Sequence, residues 1–314
     1  MININQQLID AGTKYRKLLL TMPVAMLQEV LAVMSLRTGI QGKEIGGVLT
    51  TDVQLRPYKT VKGESDNTVI TPYEWETYLG DVVKEFDPNI MLGTLYTDTT
   101  GNKPTDREIS RLVAIEMAKK VGEALYNVMF TAVRNAAGNT TADLFNGFST
   151  LAASAVTATK LSVVKKNYAD LTATPITVVN VIDILKAAYR GVDPLLKKQK
   201  INLYLPTSIL ELYEDAFQVE FGHVPWNADF TQRTLVGSSG KCTFVPLDKM
   251  EGTNYLFFSV RNNFLVGCDQ ESDKENVRIR ECDNPKLVQF FMLMYFGVGF
   301  DNLDKAYIKV IKFA

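Results

Sequence analysis

The sequence predicts an α+β protein, in which helices and strands occur in blocks along the chain. One observation is a long amphipathic helical pattern in residues 106–134. The other is a series of strand-like segments from residue 243 onward, without the regular strand–helix alternation of a parallel sheet. With 314 residues, of which 46% are hydrophobic, the chain can bury the core of one large domain or two smaller ones.

The composition argues against several classes of protein. A net charge of −1 does not favour tight, charge-driven binding of nucleic acid, so we expect any contact with DNA to be local and weak. The longest apolar stretch, residues 287–300, contains Gln289 and two glycines and is too short to span a bilayer. Three cysteines without a C-x-x-C pair are typical of free thiols in a reducing compartment: Cys242, Cys268 and Cys282. Because the N-terminus has no secretory pattern, we expect synthesis in the cytosol and no membrane partner.

The first hundred residues predict an arm followed by a hairpin. Residues 1–44 are interpreted as an arm whose helical piece, marked by apolar spacing from Met26 to Met34, is ended by a cluster of glycines. Residues 48–103 are predicted to be extended. The polar segment 62–67 separates two β-prone runs, the second of which continues through Trp75 and Tyr78. A hairpin with so little apolar flank gains little by folding alone and needs another surface to lie on.

The clearest predicted element is a helix over residues 106–134. Thr105 and Glu108 have the spacing of a capping box at its start. At 1.5 Å per residue this helix would be about 43 Å long, which fits either a strut along a whole domain or an ordinary core helix. Its apolar stripe comprises Ile109, Leu112, Val113, Met117, Val121, Leu125, Val128 and Met129.

The remainder of the chain predicts a loop-rich segment, two helices and a set of strands. Residues 136–175 are small and polar and are interpreted as loop with short strands. A helix is predicted from Thr177 to about Tyr189, ended by Gly191 and Pro194, and a strand at residues 201–205. A further helix is predicted to begin at the capping-box pair Ser208 and Glu211. The later strands are predicted at residues 243–246, 255–260, 277–282, 287–296 and 307–313.

A search for reactive groups finds no catalytic, cofactor-binding or metal-binding residue. The single histidine, His223, has no nucleophile motif to serve and is interpreted as a loop or interface residue. Residues 237–243 resemble a phosphate-binding loop but carry Cys242 where a hydroxyl is needed, so a flexible turn is the better interpretation. The acidic segment 269–275 lacks the glycine of a calcium loop, and it and residues 301–304 are interpreted as solvated turns. We therefore expect neither an enzyme nor a cofactor.

The order of these elements is informative. After the arm and hairpin come a segment from Tyr78 to Leu95, the long helix, the loop Leu144-Phe145-Asn146-Gly147-Phe148, and a strand at 201–205 that leads into a helix. Apolar strands finish the chain. This order resembles that of the major capsid proteins of tailed bacteriophages, whose fold is shared with encapsulins and the herpesvirus shell. The resemblance covers nearly the whole chain but includes no invariant motif.

The resemblance implies a layout for the chain. Residues 1–45 would form an N-terminal arm, residues 46–80 an extended hairpin loop that lies over a neighbouring copy, and residues 141–259 an axial domain. Residues 81–140 and 260–314 would form a peripheral domain whose spine is the helix 106–134. Some members of this family crosslink a lysine of the loop to an asparagine of a neighbour. Lys59 or Lys62 would be the candidates here, although nothing in the sequence shows such a bond.

The resemblance also implies a function. The chain would assemble in the cytoplasm of a host bacterium, as pentamers and hexamers, into the icosahedral shell of a virion that encloses double-stranded DNA. Expected partners are further copies of the chain, portal and scaffold proteins, and packaged DNA through weak, non-specific contacts. Two alternatives remain open, namely the shell of an encapsulin-like compartment and an unrelated two-domain enzyme or binding protein.

Overall fold

A computed structural model describes residues 27–50, 69–87, 106–222, 233–269, 277–281 and 287–314, together with positions 23, 57, 58, 283 and 284. The described α-helices are α1 Gln28–Leu31, α2 Asp106–Val128, α3 Phe148–Thr157, α4 Val181–Arg190, α5 Pro194–Lys197 and α6 Thr207–Phe221. Short 3-10 helices occur at Thr141–Asp143, Asp248–Met250 and Arg261–Asn263. None of the helices in this part of the chain combines the length and apolar character needed to cross a membrane.

The described strands form two five-stranded sheets and one two-stranded ribbon. They are β1 Ser35–Thr38, β2 Lys43–Thr50, β3 Val69–Glu76, β4 Tyr78–Phe86, β5 Tyr168–Leu171, β6 Ile201–Leu205, β7 Cys242–Pro246, β8 Tyr255–Ser259, β9 Phe264–Cys268, β10 Val277–Glu281, β11 Val288–Phe300 and β12 Ile308–Phe313. In the first sheet, β11 pairs with β4, β9 and β10, and β9 pairs with β1. The second sheet has the order β5–β12–β8–β6–β7, and the ribbon consists of β2 and β3.

The second sheet separates two hydrophobic cores. Strand β8 is buried on both faces, with Tyr255 and Phe257 in one core and Leu256 and Phe258 in the other. Because side chains alternate along a strand, one sheet can serve as a wall of both cores. Helices α4 and α6 cover one face of this sheet, while helix α3 and the first sheet lie in the core on the other.

The C-terminal strand belongs to this shared sheet. The sequence-based layout groups residues 260–314 with residues 81–140, yet β12 pairs with β5 and β8 of the 141–259 segment. The alternation of side chains along β12 explains why it lies in this sheet, since Ile308 and Val310 lie in one core whereas Ile311 lies in the other. The chain therefore returns to the middle segment at its end.

The long helix is shorter than the sequence predicts. It ends at Val128 instead of residue 134, so its length is about 35 Å. The cause is a tertiary contact at the start of α3, where the Phe148 amide donates to the Met129 carbonyl at 3.2 Å and the Gly147 amide donates to the Ala132 carbonyl at 2.9 Å. A Cβ at Gly147 would lie 2.7 Å from the carbonyl of Phe130, so only glycine allows this approach.

Other predictions are confirmed in outline and corrected in detail. Helix α3 lies where loop was predicted, because its buried face is made mostly of alanines that give little apolar signal. The predicted capping box at Ser208 is wrong, since the Glu251 carboxylate accepts hydrogen bonds from the Ser208 amide at 2.8 Å and from its hydroxyl at 3.0 Å. Helix α4 begins at Val181 instead of Thr177, and Pro194 opens α5 with Asp193 as its cap. The Thr105 cap lies outside the described residues.

Candidate assembly surface: the hairpin stem

The predicted hairpin is present as a stem formed by β2 and β3. The two strands are antiparallel, with Lys43 opposite Glu76 at the base and Thr50 opposite Val69 at the far end of the described ribbon. Strand β2 begins at Lys43, five residues before the predicted extended region, although it contains two glycines. The polar tip at 62–67, together with Lys59 and Lys62, lies outside the described residues.

One face of the stem packs on the body of the protein. Trp75, only 5% exposed, lies against glycines of β9 and β11. A Cβ at Gly267 would lie 2.5 Å from the Trp75 ring, and one at Gly299 would lie 2.9 Å from the Trp75 side chain. Tyr73 crosses the stem in the same way over Gly46. The glycines thus make room for two large aromatic side chains that hold the ribbon against the first sheet.

A polar network fixes the same face. The Tyr73 hydroxyl donates to a carboxylate oxygen of Asp301 at 2.8 Å. Arg37 lies between two carboxylates, at 3.0 Å from Glu44 and 3.4 Å from Asp301. These groups come from β1, β2, β3 and the end of β11, so the network ties the stem to a strand more than 220 residues away in sequence. Asp301 therefore has an anchoring role instead of the solvated turn predicted from the sequence.

Thr77 fixes the direction in which the stem leaves the body. This residue separates β3 from β4 and is 2% exposed. Its hydroxyl oxygen lies 3.1 Å from the Ile40 carbonyl and 3.2 Å from the Gly42 carbonyl, and it accepts a hydrogen bond from the Gly42 amide at 3.0 Å. Both strands of the stem are joined here at their bases, since the Thr77 amide also donates to the Gly42 carbonyl.

The opposite face of the stem is uncovered. Strand alternation places Ile45 and Ile70 on the same face, because Ile45 pairs with Glu74 and Ile70 pairs with Leu49. These isoleucines are 67% and 66% exposed. Near the base, Lys43 forms ion pairs with Glu74 and, at 3.7 Å, with Glu76 on this face. The two exposed isoleucines, separated along the ribbon by the Gly47–Pro72 pair, therefore share this face with a paired charge cluster.

The titration of Tyr73 gives a test of the anchoring network. Burial, followed by the hydrogen bond to Asp301, raises the pKa of Tyr73 to about 12. The neutral phenol is thus favoured in the folded state, and its contribution to stability is present below pH 10 and is lost as the pH rises through 12. We expect the stability advantage of the wild type over Tyr73→Phe to shrink between pH 10 and 12, as measured by denaturant unfolding. A pH-independent difference would contradict the burial of the Tyr73 hydroxyl against the body of the protein.

The described part of the chain contains only some of the candidate residues named from the sequence. His223 lies outside the described residues, as does all of the acidic segment 269–275 except Asp269, which is buried. The turn at 237–243 is closed by the Ser238 hydroxyl, which donates to the Leu235 carbonyl at 2.6 Å. Burial raises the pKa of the Cys242 thiol to about 12, so this thiol is not poised for reaction. No group of three or more metal-ligating side chains occurs in the described ranges.

The candidate site residues whose role the sequence analysis missed are those of the hairpin base. Arg37, Glu44, Thr77 and Asp301 carry no local motif and are brought together only by strand pairing. The one available signal was Trp75 within a polar run, since a tryptophan in such a setting needs a surface to bury it.

Comparisons with known proteins agree with this architecture. No protein-family model and no curated protein matches the sequence. Among solved structures, a chain of the cyanophage A-1(L) capsid matches with a TM-score of 0.59 at 15% identity, over 93% of this chain and 92% of that one. A chain of the satellite phage P4 procapsid matches with a TM-score of 0.58 at 10% identity, over 94% and 90%. The capsid of a native GTA particle gives 0.55 at 10% identity, over 92% and 90%. The chain therefore has the major capsid protein fold of the tailed bacteriophages.

Proposed function

We propose that this chain is the shell-forming subunit of a tailed-phage capsid that encloses double-stranded DNA. The observation that carries the proposal is the hairpin stem, which is anchored on one face and presents uncovered isoleucines on the other. The exposed isoleucines of such a ribbon gain the free energy of apolar burial only when another molecule covers them. The likeness in fold to capsid chains supports a second copy of the chain as that molecule.

The proposed layout keeps the predicted segments. Residues 1–45 form the arm, whose last three residues already belong to the stem strand β2, and residues 46–80 form the extended loop. Residues 81–140 and 260–314 form the peripheral domain, and residues 141–259 form the axial domain, to whose sheet β12 adds a strand. Copies related by rotation within a pentamer or hexamer make heterologous contacts, in which two different surfaces of the chain meet. Such obligate interfaces commonly bury more than about 2,000 Å² in total, an area that a projecting hairpin helps to supply.

The proposed partners follow from this role. They are many further copies of the chain, a portal and a scaffold protein, and the packaged DNA, and the protein resides in the virion after assembly in the bacterial host.

The direct test is negative-stain microscopy combined with light scattering of the purified chain, alone and with added scaffold protein. We expect polyhedral shells or rings of five and six copies. Shells that contain a protein cargo instead of DNA when isolated from cells would indicate an encapsulin-like compartment. A monomer or dimer that never assembles under any of these conditions would contradict the proposal.

A double substitution tests the uncovered face of the stem. Ile45→Asp with Ile70→Asp should lower the free energy of unfolding of the monomer by no more than about 1 to 2 kcal/mol, because both side chains are exposed in it and the main cost is the new carboxylate at position 45 opposite Glu74. Assembly should be lost, since each copy would have to bury two unpaired carboxylates at several kcal/mol each. The matched control is Val179→Asp with Val219→Asp, two residues that are 94% and 82% exposed and lie outside the hairpin. If the stem variant and the control variant lost assembly equally, the stem would have no special role in it.

A further inference from the structure

One end of the second sheet carries a row of cations. Strands β5, β12, β6 and β7 run in the same direction, while β8 runs antiparallel to its neighbours β12 and β6. All four parallel strands therefore begin at the end where β8 finishes. A basic residue stands just outside each strand at this end, and we call these five residues the basic row: Lys166, Lys305, Arg261, Lys200 and Lys241.

The register of the sheet sets Lys200, Arg261 and Lys241 at one level, with Lys305 one residue beyond it and Lys166 two residues inside it. Asn202 lies opposite Ser259, which in turn lies opposite Ile308, so these positions form one level across the sheet. Lys200 and Arg261 stand two residues beyond this level on their strands, and Lys241 is level with Lys200 because Ile201 pairs with Cys242. Neighbouring strands are about 4.8 Å apart, so the row extends for about 19 Å.

Helices add further positive charge next to the row. Helix α4 ends at Arg190 and α5 ends at Lys197, which is followed by Lys198 shortly before β6 begins. The Lys197 ammonium donates to the Arg190 carbonyl at 2.7 Å, which joins the two helix ends. Acidic groups are also present at this end, where Asp193 pairs with Lys305 at 3.5 Å. Cations still clearly outnumber carboxylates here, in a chain whose net charge is −1.

The row is exposed and chemically simple. All five of its members are exposed, and Lys305 alone among them forms an ion pair within the part of the chain that the structure describes. Four of the five are lysines, and lysine acts as a point charge for phosphate without the planar geometry that favours specific recognition. Lysine is also depleted in the cores of protein–protein interfaces, which makes a protein partner a poor fit.

We infer that the basic row binds the phosphate backbone of duplex DNA, without reading its sequence. The inference rests on the proposed shell function, because the packaged genome is the polyanion that this surface would meet. A duplex carries one negative charge per about 1.7 Å of its axis, so a row about 19 Å long can lie against several phosphates at once. Contacts of this type fix position but carry no sequence information.

The test measures binding of a fluorescent 30-base-pair duplex of arbitrary sequence to the purified full-length chain, as a function of salt. The row variant carries Lys166→Gln, Lys200→Gln and Lys241→Gln together with the adjacent Lys198→Gln. Each lost phosphate contact should lower the slope of log affinity against log salt by about 0.9, so we expect a reduction of about 3 to 4 and at least a ~10-fold loss of affinity at 50 mM salt.

Two matched variants distinguish an effect of the basic row from an effect of the total charge of the protein. The control set Lys84→Gln, Lys119→Gln, Lys249→Gln and Lys312→Gln changes the net charge equally and should leave affinity within about two-fold. Replacing the four lysines of the row variant by arginine should preserve binding, because the charge remains. Equal losses in the row variant and the control set, or unchanged binding in the row variant, would overturn the inference.

Assembly of the same variants distinguishes this inference from the proposed function. A row variant that forms shells but binds DNA weakly supports both proposals. One that keeps its DNA affinity but no longer assembles would overturn the inference and identify the row as a contact between copies, for which the carboxylates Asp170 and Glu251 near the opposite end of the sheet offer a complement. If the wild type never assembles yet its DNA binding depends on the row, the shell function fails and the DNA-binding surface stands.

Discussion

Replacing Phe148 by alanine should lower the free energy of unfolding by about 3 to 5 kcal/mol. Phe148 is fully buried at the first position of α3, and its ring centroid lies 4.7 Å from that of Phe264, 5.3 Å from Phe300 and 5.4 Å from Phe130. Truncation leaves a cavity among these rings and removes several aromatic contacts at once. Since domains are stable by only about 5 to 15 kcal/mol, a loss of this size is a large fraction of the total stability.

Denaturant unfolding followed by circular dichroism measures this loss. The matched control is Phe221→Ala at the end of α6, where the side chain is 46% exposed and its ring contacts Phe217 at 4.5 Å. We expect the control to lose no more than about 1.5 kcal/mol. Similar losses at the two positions would mean that α3 does not pack against the first sheet as described.

Replacing Thr77 by valine should abolish assembly while the monomer remains folded. Valine keeps the shape of the side chain but removes the hydroxyl, so the Gly42 amide loses its acceptor and the Ile40 carbonyl loses its donor at about 1 to 3 kcal/mol, while the Gly42 carbonyl still accepts from the Thr77 amide. The base of the stem would then lose its fixed angle. A hairpin that must reach a neighbouring copy binds less well when its direction is not set in advance.

Light scattering under the conditions in which the wild type assembles measures the loss of assembly. Circular dichroism of the monomer shows whether it remains folded. Thr157→Val is the control, because it removes a hydroxyl that donates to the Ala153 carbonyl at 3.1 Å on the exposed end of a helix. The control should assemble normally. Normal shells from Thr77→Val would show that the stem keeps its direction without this residue.

The sequence by itself determined the elements that local pattern controls. The strand at 201–205 has the predicted bounds, and the strands near 243, 255, 277, 288 and 308 lie close to theirs, because alternating or continuous apolar residues favour strands over short stretches. The order of the elements indicated the capsid fold, and the hairpin was predicted from a polar tip between β-prone runs.

Only the tertiary structure decided how distant residues meet. The long helix ends at Val128 because the start of α3 occupies carbonyls that follow it, and Ser208 is capped by Glu251 from a distant loop. Asp301 anchors the hairpin through Tyr73 because β11 lies beside β3, and the basic row exists because strand register aligns residues from five separate segments. Periodicity reports which residues are buried within one element, whereas pairing between strands far apart in sequence depends on the complementary shapes of complete sheets, which no local pattern encodes.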